Sequence, residues 1–213
     1  MASILIGPQV GHLEWPLTLE DWNARSLGLS FDIGSCAFSS FTTSDTLGLL
    51  EIRNDPGVLP FMPSRAPLPL AQHQAWVNAH LLGGDAAAPL VLLGRHGGRA
   101  AGFGVIKPTA EKAVFEVGVM AADTWQRGGL PARLATALAV VAARLLGAGG
   151  LLTHVHPSHT QALRFNRAWG AHEAPSSKLG ELCFRIPLEP LLASSLLQRC
   201  TRDLELQVTR LTR

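Results

Sequence analysis

The sequence predicts an α/β (α+β) fold in which strands and helices alternate along one domain. The clearest stretch runs from residue 114 to 171, where a short apolar strand enters a glycine-bearing turn and a long apolar helix follows. A second strand and a shorter helix ending at Trp169-Gly170 complete this stretch. With 213 residues, 47% of them hydrophobic, the chain is long and apolar enough to form a full core.

The composition argues against several classes of protein. Charged residues make up 16% of the chain, which is typical of a globular rather than a disordered protein. The formal net charge of +2 is too small to indicate a nucleic-acid partner. Three scattered cysteines predict neither a disulfide framework nor a metal site, and they favour a cytoplasmic protein. Neither a signal peptide nor a membrane-spanning segment is expected.

The first segment, residues 1–34, is interrupted by glycines and prolines and is expected to form an N-terminal arm. Thr18, with Asp21 three residues later, predicts the start of a short helix that reaches Leu27. We expect this arm to pack on the domain or on a second copy of the chain. The alternative is a lid over a substrate site.

The elements before the central stretch follow from local signals. Residues 36–41 are predicted to be the first strand, and a helix is expected from Thr43 or Ser44 to Ile52, before Pro56. A proline-rich loop follows. The next predictions are a helix over residues 70–82, ended by Gly83-Gly84, and a hairpin of strands 90–95 and 100–107.

The central stretch predicts a strand over residues 114–120 and a helix that begins at Pro131. Arg133 and Arg144 are the only charged residues of this helix, so most of its surface should be buried. The remaining predictions are a strand over 151–156, a helix from Pro157-Ser158, an antiparallel pair over 171–175 and 181–187, and an amphipathic C-terminal helix in the leucine-containing tail 188–213.

The glycine-bearing turn before the long helix, residues 126–129, is a candidate anion site. Free backbone N–H groups and the positive end of the helix dipole point to one spot there. Glycine also allows the backbone to approach a pyrophosphate closely. The alternative is that Gly128-Gly129 is only a turn before a helix.

At these residues the chain resembles the GNAT family, the GCN5-related N-acetyltransferases. Gln126, Gly129 and Pro131 stand at the three places of the family signature Q/R-x-x-G-x-G/A. The segment from Thr160 to Ala171 is similar to the family's N-x-x-A-x-x-F-Y-x-K-x-G-F helix. Around residues 50–56 and 73–76 the chain resembles the branch that contains ribosomal-protein and amino-sugar N-acetyltransferases.

The resemblance implies a GNAT domain over residues 35–188, between the arm 1–34 and a helical tail 189–213. Its sheet would be mixed and mostly antiparallel, with helices on both faces, and would splay between its fourth and fifth strands. Acetyl-CoA, the implied co-substrate, would bind in this V. Its implied contacts are Gly118, Val119 and Met120 for the pantetheine, Gln126, Arg127, Gly128, Gly129, Leu130 and Pro131 for the pyrophosphate, and His159 and Asn166 as further cofactor contacts.

Two departures from the family pattern bear on the cofactor and the chemistry. Pro131 stands where the family has Gly or Ala and has no N–H to offer a phosphate, so we expect weakened CoA binding. Arg127 or Arg133 could compensate through a charge-assisted bond. Asn166 stands where many members carry a tyrosine that protonates the leaving sulfur, and this chain has no tyrosine. A thiol with a pKa near ~8.5 can leave without that acid.

Two residues are candidates for the general base of amine acetylation. Glu116 shares a strand face with Gly118 and Met120, because side chains alternate along a strand. His154 stands where some family members carry an acidic base. An ion-paired glutamate and a packed histidine are the alternatives. The resemblance also implies an acceptor wall formed by Arg53, Asn54, His73 and Trp76, for which helix capping and core packing are the alternative.

The sequence therefore indicates an acetyl-CoA-dependent N-acetyltransferase that works by direct transfer in a ternary complex. The expected partner is a small-molecule amine, with an amino sugar, free or nucleotide-linked, favoured over a protein N-terminus or a polyamine. Neither nucleic acid nor a membrane is expected as a partner, and a homodimer is possible. The alternatives are a GNAT-fold binding module without turnover and a structural subunit.

Overall fold

A ten-stranded sheet dominates the computed structural model, which describes residues 3–6, 14–24, 27–62, 64–82, 88–126, 129–201 and 204–210. The strands are β1 (Ser3–Ile6), β2 (Leu27–Ile33), β3 (Cys36–Ser40), β4 (Leu90–His96), β5 (Arg99–Pro108), β6 (Val114–Ala121), β7 (Gly150–Val155), β8 (His172–Ala174), β9 (Leu182–Pro187) and β10 (Glu205–Arg210). The helices are α1 (Leu19–Ala24), α2 (Thr46–Arg53), α3 (Leu70–Val77), α4 (Asp123–Gln126), α5 (Leu130–Leu145), α6 (Thr160–Ala168), α7 (Leu188–Ala193) and α8 (Ser195–Thr201).

The sheet is mixed and mostly antiparallel, as the sequence predicted. Its strand order is β1-β10-β2-β3-β4-β5-β6-β7-β9-β8, and the parallel neighbours are β1 with β10 and β6 with β7. The β6–β7 ladder covers only Val114–Glu116 and Gly150–Leu152, although both strands continue beyond it. The sheet therefore opens between β6 and β7.

Two apolar cores cover the two faces of the sheet, and β4 contributes to both. Leu90 and Leu92 join the larger core, which contains most of α5, whereas Val91 and Leu93 join the smaller one with α2 and α3. This alternation follows from the two-residue period of a strand. Helix α5 can lie close to the sheet because Gly104 has no side chain. A Cβ at this position would come within 2.8 Å of Leu138.

Several local predictions are confirmed. The Thr18 hydroxyl donates to the Asp21 carboxylate at 2.7 Å, and the Asp21 amide donates to the Thr18 hydroxyl at 3.0 Å, which forms the capping arrangement at the start of α1. The hairpin β4–β5, the long helix α5 and the pair β8–β9 also form as expected. The predicted helix end at Gly83-Gly84 lies outside the described residues.

The predicted helical tail is wrong in its last part. The chain forms α7 and α8 and then enters strand β10, which pairs with β2 and β1. Leu206 and Val208 are fully buried, whereas Glu205 and Gln207 are exposed, so these residues alternate with the period of a strand. The leucines of residues 188–197 have helical spacing, and the sequence analysis extended this helical pattern into residues 205–210.

The predicted first strand at residues 36–41 is actually the second strand of a hairpin. Residues 27–33, assigned to the arm, form β2 and pair with β3 through a turn at Gly34, which has a φ of +60°. The predicted helix that reaches Leu27 instead ends at Ala24. Segments on both sides of residues 35–188 thus add strands to the same sheet, and the division into three segments stays a prediction.

We expect the C-terminal strand to contribute to global stability. Leu206→Ala should lower the free energy of unfolding by about 2–5 kcal/mol, because it leaves a cavity in the core. The measurement is equilibrium denaturation in urea, with Glu205→Ala as the matched control on the exposed face of the same strand. An equally small change in both variants would show that β10 is not part of the cooperative fold.

Candidate active site

A cavity of about 570 Å³ lies where β6 and β7 separate, and we call it the β6–β7 cavity. Its walls come mainly from β6, β7, the start of α5, α6 and the loop between α2 and α3, and residues of β5, α4, β9 and the loop between β8 and β9 also contribute. From these parts the lining includes Gly118, Val119, Met120, Thr153, His154, Gly129, Pro131, Ala132, His159, Phe165, Asn166, Gly57, Val58, Phe61 and Met62.

Most residues predicted to contact the cofactor line this cavity. They are Gly118, Val119, Met120, Gln126, Gly129, Pro131, His159 and Asn166. Leu130 does not belong to this lining, because its side chain is buried in the main core. Arg127 and Gly128 lie outside the described residues. The structure thus brings the strand and the phosphate-loop candidates to one space, and their role in cofactor binding stays a prediction.

One edge of β6 borders the cavity without a strand partner on the β7 side. The ladder with β7 ends at Glu116, while the ladder with β5 continues to Ala121. A strand that lacks a neighbour offers backbone donors and acceptors to another extended chain. The residues from Val117 to Ala121 are therefore suited to bind an extended, amide-containing molecule.

The start of α5 borders the same cavity. Gly129 precedes the helix with a φ of +74°, a conformation that favours glycine. The first turn of a helix has N–H groups without intrahelical partners, but Pro131 contributes none. The Arg133 guanidinium lies beside this turn, since a Cβ on Gly129 would be 3.6 Å from its Nη1. This placement puts a positive charge near the predicted phosphate loop.

Glu116 lies at the point where the two strands separate and is surrounded by basic groups. Lys178 Nζ donates to its Oε1 at 2.6 Å, and Lys107 Nζ lies 3.9 Å from the same oxygen. Partial burial raises the pKa of Glu116, but the hydrogen bond and charge of Lys178, with the charges of Lys107 and His154, outweigh burial and leave this pKa lowered. Glu116 is therefore a carboxylate at neutral pH.

His154 is a buried neighbour of Glu116. Its Nδ1 lies 3.7 Å from Glu116 Oε2, and its side chain is only 6% exposed. Neither ring nitrogen has a hydrogen-bond partner among the residues that the structure describes. Burial is the main cause that lowers its pKa, and the positive charge of Lys178 acts in the same direction. His154 is thus a neutral imidazole with a free lone pair.

His159 and Asn166 also line the cavity. The His159 ring stacks on Phe61, with centroids 3.9 Å apart, so the α2–α3 loop reaches across to the start of α6. Burial and the nearby His156 lower the pKa of His159. The Asn166 side chain donates to the Ala162 carbonyl at 2.9 Å and is buried. Asn166 therefore stabilises its own helix.

The predicted acceptor residues do not line the cavity among its described walls. Asn54 exchanges two hydrogen bonds with the Leu68 backbone, at 2.8 and 2.9 Å, and fixes the loop between them. His73 is buried and donates from Nε2 to the Thr46 carbonyl at 3.0 Å. Arg53 donates to Ser64 at 3.2 Å, and Trp76 is 40% exposed. The bonds of Arg53 and Asn54 hold the loop that contains Phe61. The contact of these four residues with an acceptor stays a prediction.

The sequence analysis missed Lys178 and Phe61, which both line the cavity. Lys178 is 62 residues from Glu116 in the chain, and no local pattern predicts their pairing. Within the described ranges there is no group of three or more His, Cys, Asp or Glu side chains that could bind a metal ion. In the same part of the chain, no helix has the length and apolar character needed to cross a membrane.

Comparisons with known proteins identify the family. The acetyltransferase (GNAT) domain matches residues 37–172. The fold is similar to yncA of Salmonella typhimurium with its cofactor acetyl-CoA (TM-score 0.58, 15% identity, 73% of this chain and 95% of the other). It is also similar to ribosomal-protein-alanine N-acetyltransferase from Brucella melitensis (TM-score 0.56, 17% identity, 70% of this chain and 98% of the other). A third similar structure is a chimera of spermidine N-acetyltransferase from Vibrio cholerae and hSSAT (TM-score 0.63, 12% identity, 76% of this chain and 100% of the other).

No curated protein matches the sequence at a significant level. The domain match nevertheless spans well over half of the chain and includes β6, β7, α5 and α6, the elements that form the cavity. The chain therefore belongs to the GNAT family of N-acetyltransferases.

Proposed function

We propose that the protein transfers an acetyl group from acetyl-CoA directly to a primary amine while both are bound in the β6–β7 cavity. The observation that carries this proposal is the position of Glu116 and His154 beside the unpaired edge of β6, in one cavity with the start of α5. Acetyl-CoA supplies the acetyl group as a thioester. The protein residues bind the two substrates, align them and accept a proton.

The unpaired edge of β6 is suited to an extended pantetheine arm, because this arm contains amide groups that can pair with a strand. The start of α5 and the Arg133 guanidinium would hold the pyrophosphate. These two places lie at the same end of β6, since this strand leads into α4 and then α5. The thioester would therefore lie farther down the strand, toward Glu116.

Glu116 is the proposed acceptor of the amine proton. Its carboxylate is ionised at neutral pH and already receives a hydrogen bond from an ammonium group, that of Lys178. A carboxylate with a lowered pKa retains a proton poorly, so a second base helps. The neutral His154 ring, 3.7 Å away, is proposed to take the proton from Glu116.

The acceptor proposed here is an alkyl primary amine, in place of the amino sugar that the sequence favoured. The residues behind the amino-sugar prediction, Arg53, His73 and Trp76, hold the α2–α3 loop or lie outside the cavity lining. The described lining instead contains the carboxylates of Glu116 and Glu181, beside the ammonium groups of Lys107 and Lys178, and the aromatic ring of Phe61. Carboxylates suit a cationic amine, and an apolar wall suits its alkyl part.

The compartment and the assembly stay predictions. Cys36 and Cys183 are buried free thiols, which supports the predicted cytoplasmic location. The homodimer likewise stays a prediction.

The test of this function is acetyl transfer from acetyl-CoA to a panel of alkyl amines, amino sugars and peptides, followed by mass spectrometry. We expect turnover with alkyl amines, and Glu116→Gln and His154→Gln should each lower kcat about 10²–10⁴-fold. Because burial lowers the His154 pKa, kcat should fall with acid only at pH values below the ordinary histidine pKa of 6.5. His172→Gln, on the exposed side of β8 and outside the cavity lining, is the matched control.

Two results would contradict the proposal. Turnover that is unchanged in both Glu116→Gln and His154→Gln would exclude the proposed proton path. CoA binding without transfer to any amine would favour a binding module.

The ring of His154 has two buried nitrogens without hydrogen-bond partners among the described residues, so we expect it to lower the stability of the fold. A catalytic role would explain why this residue is kept. His154→Phe should raise the free energy of unfolding at neutral pH by about 1 kcal/mol, because two buried nitrogens without hydrogen bonds are removed. His73→Phe should lower it by about 1–3 kcal/mol, since the Thr46 carbonyl loses its donor. Chemical denaturation measures both. Equal destabilisation would show that His154 makes stabilising contacts in solution.

A further inference from the structure

The loop between β8 and β9, residues 175–181, brings a lysine into the proposed active site. Lys178 lines the β6–β7 cavity, and its Nζ donates to Glu116 Oε1 at 2.6 Å. Its side chain is still 41% exposed. The neighbouring Leu179 is fully exposed, and Gly180 has a φ of +78°. The lysine therefore stands on an exposed turn and extends inward.

The position of Lys178 matches what the proposed reaction requires of an acceptor. A general base must lie within hydrogen-bond distance of the amine that it deprotonates. Lys178 meets this requirement toward Glu116, whereas Lys107 stands 3.9 Å away on β5, a strand paired on both sides. An internal primary amine thus occupies the place that an external amine would need.

We propose that Lys178 is a self-acetylation site, modified by the cavity in which it lies; this inference rests on the proposed function. Glu116 removes a proton from the Lys178 ammonium, and the neutral Nζ attacks the carbonyl carbon of bound acetyl-CoA. A C–N bond forms and the C–S bond breaks. CoA leaves as a thiolate and takes up a proton, so the products are Nζ-acetyl-lysine, CoA and one released proton.

Self-acetylation would change the site for later substrates. An acetylated Nζ has no charge, so the ion pair with Glu116 is lost. Because the hydrogen bond and charge of Lys178 lower the pKa of Glu116, the modification should raise this pKa. It also leaves the carboxylate open to an external ammonium. The modification would therefore change both the pKa of Glu116 and its access to an external amine.

The sequence makes the modified position easy to identify. The whole chain contains only three lysines, Lys107, Lys112 and Lys178. Lys112 is exposed in the turn before β6 and serves as the matched control. Acetylation by simple chemical reactivity would favour an exposed lysine, whereas acetylation by the site would favour Lys178.

The experiment incubates the full-length protein with acetyl-CoA alone and follows the intact mass, with peptide mapping of the product. We expect one acetyl group on Lys178, at a first-order rate that does not change with protein concentration. Lys178→Arg should abolish this product, Lys112→Arg should keep it, and Glu116→Gln should slow it at least about tenfold. CoA binding, measured calorimetrically, confirms that each variant is folded.

Other results would overturn the inference. Equal labelling of Lys112 and Lys178 would indicate chemical acetylation, and a rate that rises with protein concentration would indicate transfer between two copies. External amines acetylated by the wild type, without label on Lys178, would leave the proposed function standing and exclude the self-acetylation. CoA binding with neither kind of transfer would exclude both.

Discussion

The site depends on one interruption in the backbone hydrogen bonding of the sheet. Strands β6 and β7 pair over three residues and then separate, although each is fully paired with its other neighbour. Buried backbone groups need partners, so an open edge inside a protein favours a ligand that can pair with it. The cavity, the access to Glu116 and the exposure of the α5 start all follow from this separation. A complete β6–β7 ladder would leave no space for two substrates.

Four titratable side chains lie at the point where β6 and β7 separate, and their charges determine the protonation states of the site. Glu116, His154, Lys107 and Lys178 lie close together in a partly desolvated space, where their interactions are stronger than in water. Burial alone would raise the pKa of Glu116, and the hydrogen bond and charge of Lys178, with the charges of Lys107 and His154, lower it. The same burial keeps His154 neutral. Under the proposed function, these groups would hold an ammonium and receive its proton.

The sequence predicted the parts of the fold whose signals are local. The stretch 114–171 combines a strand, a glycine turn and an apolar helix in a distinctive order. The strand and the helix form as expected, and residues 127–128 of the turn lie outside the described residues. The strands β2 and β10 were missed because their pairing joins residues about 180 positions apart. The pair Glu116–Lys178 was also missed because its residues are far apart in the sequence, at 62 positions. The sequence does not distinguish whether Asn54 and His73 bind a substrate or hold the fold. Their hydrogen bonds to the Leu68 and Thr46 backbone show local structural contacts.

The most direct test of this account is hydrogen–deuterium exchange of the protein with and without acetyl-CoA. The account predicts slower exchange in two segments, residues 117–121 of β6 and the first turn of α5, because the cofactor would pair with the open edge and cover the helix start. Exchange in β10 and α3, outside the cavity, should not change locally. Protection confined to other segments, or none in β6 at saturating acetyl-CoA, would contradict the claim that the separated strands hold the cofactor.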